Sequence, residues 1–571
     1  MWAAYPVLYL AAMSTLSLDP AYAQRLTVPL RRAFERVPFA AVVWSLSFAW
    51  FLVVGLRTPL DEDEGFYALA SELVAHGRLP YRDFFYPQSP LGPFVFAPFA
   101  ALGARFVFLR LVAAAMAAIP AMLVGYAVNR EARSRAAAVV AVLFFVTHEL
   151  SWRWLPTIRP YAFGEACALG AFLLATPVAR LPTRRELLLA GALASLAPLA
   201  RLPLAPTVGI TALAVLLRGR DNLLQRGACI FAVVLFGANV AKHPEIVVFL
   251  ASAAAGVIAV SGKGGAASLA RGAWFGVGVA IAATLILAPF ALVAKDNLLF
   301  GLFDYHAETS KLVAWPHSRA LLFATVGGGS VAELSGMGTQ TVLLLLANLA
   351  ALTLARAELR IASLTGAAVI AACSARHAPA MEHYLTALVP YLAIGVGIAF
   401  GGFERLARGR LVRPRFAVFG GGLALSMLAT AASFERTWLG GMCGPWNFSA
   451  LRPAATDLGL VAIRDAVRAN PGPLLSYWPG SALGSATRMM PGFENQFARL
   501  VAGRRSPASR AELHLADEDE LRAAVAVRTP SVVVVDRGTG AGREGLEELL
   551  TSSRYGKQRV VGAITIYVRE P

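Results

Sequence analysis

Long apolar runs alternate with short arginine clusters through most of the chain, and this alternation is the strongest signal in the sequence. The run from Phe39 to Leu56 is followed by one from Phe106 to Val128 that ends on Arg130, Arg133 and Arg135. Ala136 to Thr147 and Tyr161 to Val178 lead to Arg180, Arg184 and Arg185, and Leu187 to Ala200 and Pro203 to Leu217 lead to Arg218, Arg220 and Arg226. Shorter runs, Ala228 to Val240 and Ile246 to Val260, end on Lys263 and Arg271, and Ala273 to Ala294 follows. Thr341 to Ala355 and Ile361 to Cys373 flank Arg356 and Arg360, while Leu385 to Phe400 and Phe416 to Ala432 flank the basic segment Arg405 to Arg415. Read as membrane crossings, these make about thirteen spans with every basic cluster on one side, the signature of cytoplasmic loops.

From about Phe434 the pattern changes. Ser531 to Val535 is a β-branched run, Val560 to Val568 reads as a further strand, and Ala541 to Leu550 has helical spacing with acidic residues on one face. The fold class expected is therefore a polytopic α-helical membrane protein with a C-terminal extracytoplasmic α/β domain. Its expected divisions are a cytoplasmic or interfacial leader over 1–38, a transmembrane domain over 39–432 with a first outer loop at 57–105, and the α/β domain over 433–571. An odd number of crossings from a cytoplasmic leader places that last domain outside the cytoplasm.

Composition agrees with the pattern. Of the 571 residues 57% are hydrophobic and only 15% charged, with a mean hydropathy of +0.59, too little polar surface for a soluble protein of this size. A net charge of +17 would suggest nucleic acid in a soluble chain. Here the charge sits between spans, so it reports topology, and no nucleic-acid partner is expected. Cys167, Cys229, Cys373 and Cys443 are too scattered for a metal spacing or a disulfide framework.

Candidate chemistry concentrates just beyond the first span. Asp61, Glu62, Asp63 and Glu64 are consecutive carboxylates, and Phe66, Tyr67, Leu69, Ala70 and Leu73 continue at helical spacing. The spacing predicts an amphipathic helix over Gly65 to Ala75 lying along the membrane interface. Crowded carboxylates raise one another's pKa, which suits a general base for an acceptor hydroxyl. The same group, Asp61, Asp63 and Glu64, also suits a divalent cation, and the sequence leaves that choice open.

Asp63-Glu64-x-x-Tyr67, then Gly77-x-Leu-Pro-Tyr-x-Asp83 and Pro90-Leu91, resembles the first outer loop of the PMT/ArnT-like GT-C glycosyltransferases, glycosyltransferase family 39-like enzymes of the membrane. The resemblance covers about 35 residues of motif, with the hydropathy layout behind it. It implies a GT-C fold and a polyprenyl-phosphate sugar donor. It further implies a cell-envelope acceptor (glycolipid, polysaccharide or protein) and inverting transfer at the outer face of the cell inner membrane. Asp63 would be the catalytic base, supported by Glu64, with Asp61, Tyr67, Arg82, Asp83 and Gln88 as the loop's substrate-binding candidates. Two departures stand out: Arg159 occupies the region where the family often carries a second acid, for which Glu149 or Glu165 could substitute, and Gln88 replaces a lysine of the aminoarabinose transferases.

Other polar residues fall at the outer ends of runs. Arg159 in Thr-Ile-Arg-Pro-Tyr and Arg201 in Ala-Arg-Leu-Pro are not required for topology and could hold a lipid phosphate. His306 lies in a polar, aromatic segment from Asp304 to Lys311; Arg376, His383 and Tyr384 precede a span, and His383-Tyr384-Leu385 resembles a late motif of the same family. The competing class is a lipid-linked glycan flippase or polymerase, or another polytopic transporter. Transporters bury charge at mid-membrane, whereas the acids here concentrate at one interface.

Overall fold

A computed structural model describes residues 38–178, 180–218, 265–312, 382–407, 452–536 and 543–571. The helices are α1 (Phe39–Arg57), α2 (Glu62–Ala75), α3 (Leu91–Leu102), α4 (Phe106–Ala132), α5 (Arg135–Thr147), α6 (Tyr161–Ala175), α7 (Arg184–Ala200), α8 (Pro206–Leu217), α9 (Gly265–Val293) and α10 (Leu388–Ala407). Among the described residues α1, α4 and α9 are long and apolar enough to cross a membrane, and α5, α6 and α10 are shorter apolar helices. The protein is thus helical and membrane-embedded. The apolar runs read at 228–260, 341–373 and 416–432, and Arg376, lie outside the described residues.

α4 is the hub of the bundle, packing on α1, α5, α6 and α10. α6 also packs on α7, and α7 on α9. That last crossing is close because each helix offers a glycine: a Cβ on Gly191 would fall 2.1 Å from the Phe275 carbonyl oxygen, and one on Gly278 2.2 Å from that of Leu188. Small residues of this kind let helix backbones meet where lipid supplies no hydrophobic drive.

Beyond the bundle lie α11 (Pro453–Ala469), β1 (Leu474–Ser476), α12 (Glu518–Ala526), β2 (Val532–Asp536), α13 (Arg543–Ser552), β3 (Tyr555–Val561) and β4 (Ile564–Arg569). The sheet order is β1-β2-β4-β3, with β1 parallel to β2 and the other pairs antiparallel. The single strand expected over Val560 to Val568 is instead the end of β3, a turn, and β4. Gly562, at φ +59°, makes the reversal, and the apolar Val561 and Ala563 around it hide the turn from a hydropathy reading.

This sheet is seated on the first loop. A continuous apolar core joins Leu60, Phe66, Tyr67 and Phe106 to Trp478, Val533 and Ile566. Asp457 of α11 accepts from the backbone N–H groups of Phe106 (2.7 Å) and Val107 (3.1 Å), capping α4 from beyond the bundle. Glu72 of α2 accepts from Gly484 N–H at 2.6 Å. The expectation that α2 lies on the membrane surface is therefore corrected: Glu64 through Leu73 are all buried, with protein covering the face that was assigned to lipid. The 57–105 loop also contains α3, whose Pro93 and Pro98 disguise it. Pro93 sits in the first helical turn, where no N–H is needed.

Candidate functional site

The acid run forms the N-terminus of α2. Asp61 is the N-cap, its Oδ1 accepting from Glu64 N–H at 3.0 Å, and Glu62, Asp63 and Glu64 fill the first turn. Unpaired N–H groups and the helix dipole favour negative charge there, so a tight row of carboxylates is tolerated. The helix then turns successive side chains toward different partners.

Glu64 points inward. Both of its oxygens accept from Arg110, one from Nε at 2.6 Å, and Ile158 N–H donates to it at 3.0 Å. Arg110 also donates to the carbonyls of Gly55 (2.6 Å) and Pro59 (3.1 Å). Neither side chain of the pair is exposed. Burial raises the proton affinity of Glu64, while Arg110 and the Ile158 amide oppose it. This joint ties the exit of α1, the acid turn, α4 and the segment before α6 into one unit.

Asp63 points the other way. Its Oδ2 lies 2.9 Å from Arg159 Nη2, which also meets Asp61 Oδ2 at 2.7 Å. Burial raises the pKa of Asp63 above the ordinary carboxylate value, Arg159 and Arg201 pull it down, and Asp61 pushes it up. Glu62 is also raised, to about 8, first by burial and then by Asp63 and Asp61. Of Arg159's donors, Nε and Nη1 are buried without a partner, and its guanidinium lies 4.7 Å from the Trp154 ring.

Arg201 completes the site from the end of α7. Its Nη1 donates to Tyr67 Oη and its Nε to Tyr161 Oη at 3.0 Å. It lies over both rings, 5.6 and 5.2 Å from their centroids. Among the described residues it makes no ion pair with a carboxylate, so its charge is met by neutral hydroxyls and π faces. His383 packs against Trp154, Tyr161 and Tyr384, at ring separations of 5.1, 5.6 and 4.8 Å. Burial lowers its pKa well below the usual histidine value and Arg159 and Arg201 lower it further, so it stands neutral at pH 7. Tyr86 also borders the cluster, 6.5 Å from Tyr67 ring to ring, its hydroxyl buried and unpartnered.

Asp61, Asp63, Tyr67, Arg159, Arg201, His383 and Tyr384 thus gather in one place. Other candidates lie apart. Arg82 and Asp83 pair with each other at 2.7 Å at the exposed tip of the loop, where Asp83 also accepts from Leu79 N–H at 2.6 Å. Gln88 offers its carbonyl to the Tyr81 hydroxyl, and the exposed His306 lies 2.9 Å from the Pro87 carbonyl oxygen. Glu149 pairs with Arg153 at 3.3 Å, and Glu165 is buried within α6. Because Glu64 turns to Arg110 while Asp61 and Asp63 turn to Arg159, these three acids do not converge. Among the described residues no group of three or more His, Cys, Asp or Glu is arranged to hold a metal ion.

Arg110, Tyr161, Trp154 and Tyr86 were not among the candidates read from sequence. Arg110 carried a usable signal, being the one charged residue in the run from Phe106 to Val128.

No family model and no curated protein matches the chain. Solved structures do. ArnT from Cupriavidus metallidurans bound to undecaprenyl phosphate superposes with a TM-score of 0.58 at 14% identity, over 96% of this chain and 100% of that one. The same enzyme in the apo state gives 0.56 at 14% identity, over 93% and 100%. The GT-C likeness read from the first loop therefore holds for the fold of almost the whole chain, and this protein has the GT-C fold.

Proposed function

We propose that this protein is an inverting glycosyltransferase. It takes a sugar from a polyprenyl-phosphate donor and attaches it to a cell-envelope acceptor at the outer face of the inner membrane. The observation that carries the reading is the meeting of a raised-pKa carboxylate, Asp63, with two buried arginines, Arg159 and Arg201, under an aromatic wall.

Asp63 removes the proton from the acceptor hydroxyl, and the oxygen attacks the anomeric carbon. The bond from that carbon to the phosphate oxygen breaks, and the electron pair leaves with polyprenyl phosphate. Charge developing on the leaving phosphate is met by cationic donors already in position, which act most strongly where water is excluded. Arg159 brings two unpartnered buried nitrogens, and Arg201 a guanidinium whose hydrogen bonds go to two neutral hydroxyls. Tyr67 and Tyr161 hold the Arg201 fork in one orientation, and a neutral His383 adds a hydrogen-bonding group without a competing charge. Undecaprenyl phosphate bound to ArnT, a protein of the same fold, supports a lipid phosphate as the leaving group. The domain from α11 onward sits on the same side as the acid turn, which the basic clusters read as the outer side.

The decisive test is release of polyprenyl phosphate in reconstituted vesicles by wild type and Asp63→Asn. Transfer activity predicts release that depends on Asp63. Movement of an intact lipid-linked substrate across the bilayer, with no release, would favour the flippase reading.

A further inference from the structure

The carbonyl oxygen of Glu62, in the peptide that leads into Asp63, accepts two hydrogen bonds from the other end of the chain. Trp478 Nε1 donates at 3.1 Å and Gln496 Nε2 at 2.9 Å. We propose that Trp478 and Gln496 are positioning residues through which the C-terminal domain sets the orientation of the Glu62–Asp63 peptide, and hence the place of the Asp63 carboxylate. This inference rests on the reading of Asp63 as the base.

The indole has little freedom. It stacks on Phe106 at 5.6 Å with the planes 11° apart. Glycines flank it on two sides: a Cβ on Gly65 would fall 2.3 Å from Nε1, and one on Gly480 2.4 Å from the ring. Trp478 is 1% exposed, so its N–H can be satisfied only within this seam. Its backbone is tied as well, Ser476 Oγ donating to the Trp478 carbonyl at 2.6 Å.

Gln496 is delivered independently, from a short 3-10 helix. Asn495 Oδ1 accepts from Phe497 N–H at 2.9 Å, and the Phe497 ring meets Phe66 of α2 edge-on at 5.8 Å. Glu494, two residues earlier, pairs with Arg78 of the first loop at 3.1 Å. Two donors from separate segments therefore converge on one acceptor. Arg159 draws the Asp63 side chain from the bundle, while Trp478 and Gln496 hold the preceding peptide from the domain above. Without the second restraint the turn can rock about its cap, and a displacement of about 1 Å at a reacting group costs on the order of 10²-fold in rate.

The test uses the full chain in lipid nanodiscs. Binding of undecaprenyl phosphate gives the number of competent sites. Polyprenyl phosphate released in a single turnover, from a lipid extract of membranes lacking the protein, gives the rate per bound site. Trp478→Phe keeps the ring and loses the N–H, and Gln496→Met keeps the length and loses the donor. The expected result is a several-fold fall for each variant and about 10- to 100-fold for the pair in rate per bound site, with undecaprenyl phosphate affinity and stoichiometry unchanged. A purely structural role would lower stoichiometry and leave the rate per bound site alone, which overturns the proposal. Should Trp478→Phe fail to fold, Gln496→Met decides by the same criterion. Asp63→Asn is run in parallel: if it is inactive while the paired variant turns over normally, only the positioning role fails. If Asp63→Asn itself turns over, the reading beneath fails and takes the proposal with it.

Discussion

Asp63 and Glu64 are neighbours on the same helical turn, and each meets an arginine, yet the two pairs are built for different ends. Glu64 and Arg110 are both 0% exposed, and the guanidinium is engaged by the carboxylate and two backbone carbonyls. Asp63 keeps 16% of its side chain exposed and shares Arg159 with Asp61, and that arginine retains two unused nitrogens. A closed network fixes geometry because nothing in it is available to a substrate. An open one can exchange partners, which chemistry requires. What separates a structural acid from a candidate base here is the coordination of the partner arginine, since both carboxylates are desolvated and both lie in the positive field of one helix N-terminus.

The largest effect that sharpens this contrast comes from exchanging the two acids' fates. Asp63→Asn should reduce transfer by ~10²- to 10⁴-fold or more with an unchanged melting temperature, because it removes a base and keeps the shape. Glu64→Ala should do the reverse. Leaving Arg110 buried without its counter-ion costs about 3–5 kcal/mol of stability, seen as poor insertion or a lowered melting temperature. The double change Glu64→Ala with Arg110→Met should recover only part of that, because the Gly55 and Pro59 carbonyls would remain without their donor. A Glu64→Ala protein that melts like wild type and has lost only turnover would erase the distinction.

A second effect separates the arginines on the open side. Arg201→Ala should weaken undecaprenyl phosphate binding or lower turnover by ~10- to 100-fold, the range for a charge-assisted bond. Arg201→Lys should restore only a fraction. The fork reaches two tyrosine hydroxyls at once, and its plane lies over two rings, neither of which an ammonium reproduces. Full rescue by lysine, measured by donor titration, would show that only the charge matters at that position.

Much of the bundle was legible because hydropathy is local. The run read as Phe39 to Leu56 is α1, Phe39–Arg57, and that read as Leu187 to Ala200 is the body of α7, Arg184–Ala200. The run from Tyr161 overshot its helix by three residues, since Pro177 and Val178 remain apolar after the helix ends at Ala175. The apolar flank of α2 was legible, but it was assigned to lipid, and the protein that covers it was not legible. Trp478 and Gln496 lie more than 400 residues away, and no local pattern announces such a contact. For the same reason the cluster joining Tyr67, Arg159, Arg201 and His383 could be named member by member but not assembled. Asp83 shows the opposite case: it belongs to the family motif yet pairs with its neighbour Arg82 near the surface.

The smallest expected effect tests the acid turn without touching Asp63. Glu62 sits between Asp61 and Asp63 on the chain, with Oε2 buried and unpartnered, and burial together with those neighbours pushes its pKa up to about 8 from the ordinary 4.5. The folded state therefore holds one proton that the unfolded chain releases near pH 4.5. Between that value and about 8 the folded state binds more protons than the unfolded one, so the stabilisation linked to this group is complete below the lower limit and is lost as pH rises toward the upper. For a chain of this length one proton corresponds to a melting-temperature slope on the order of 1 °C per pH unit. Glu62→Gln mimics the protonated acid and should flatten that part of the curve, raising the melting temperature at pH 8 more than at pH 5. Because the Trp478 and Gln496 contacts use the backbone carbonyl, the substitution should leave the turn in place, and turnover should survive. Parallel curves for wild type and Glu62→Gln across pH 5 to 9 would mean that Glu62 is ionised throughout, and that Arg159 offsets all three acids of the turn instead of mainly Asp61 and Asp63.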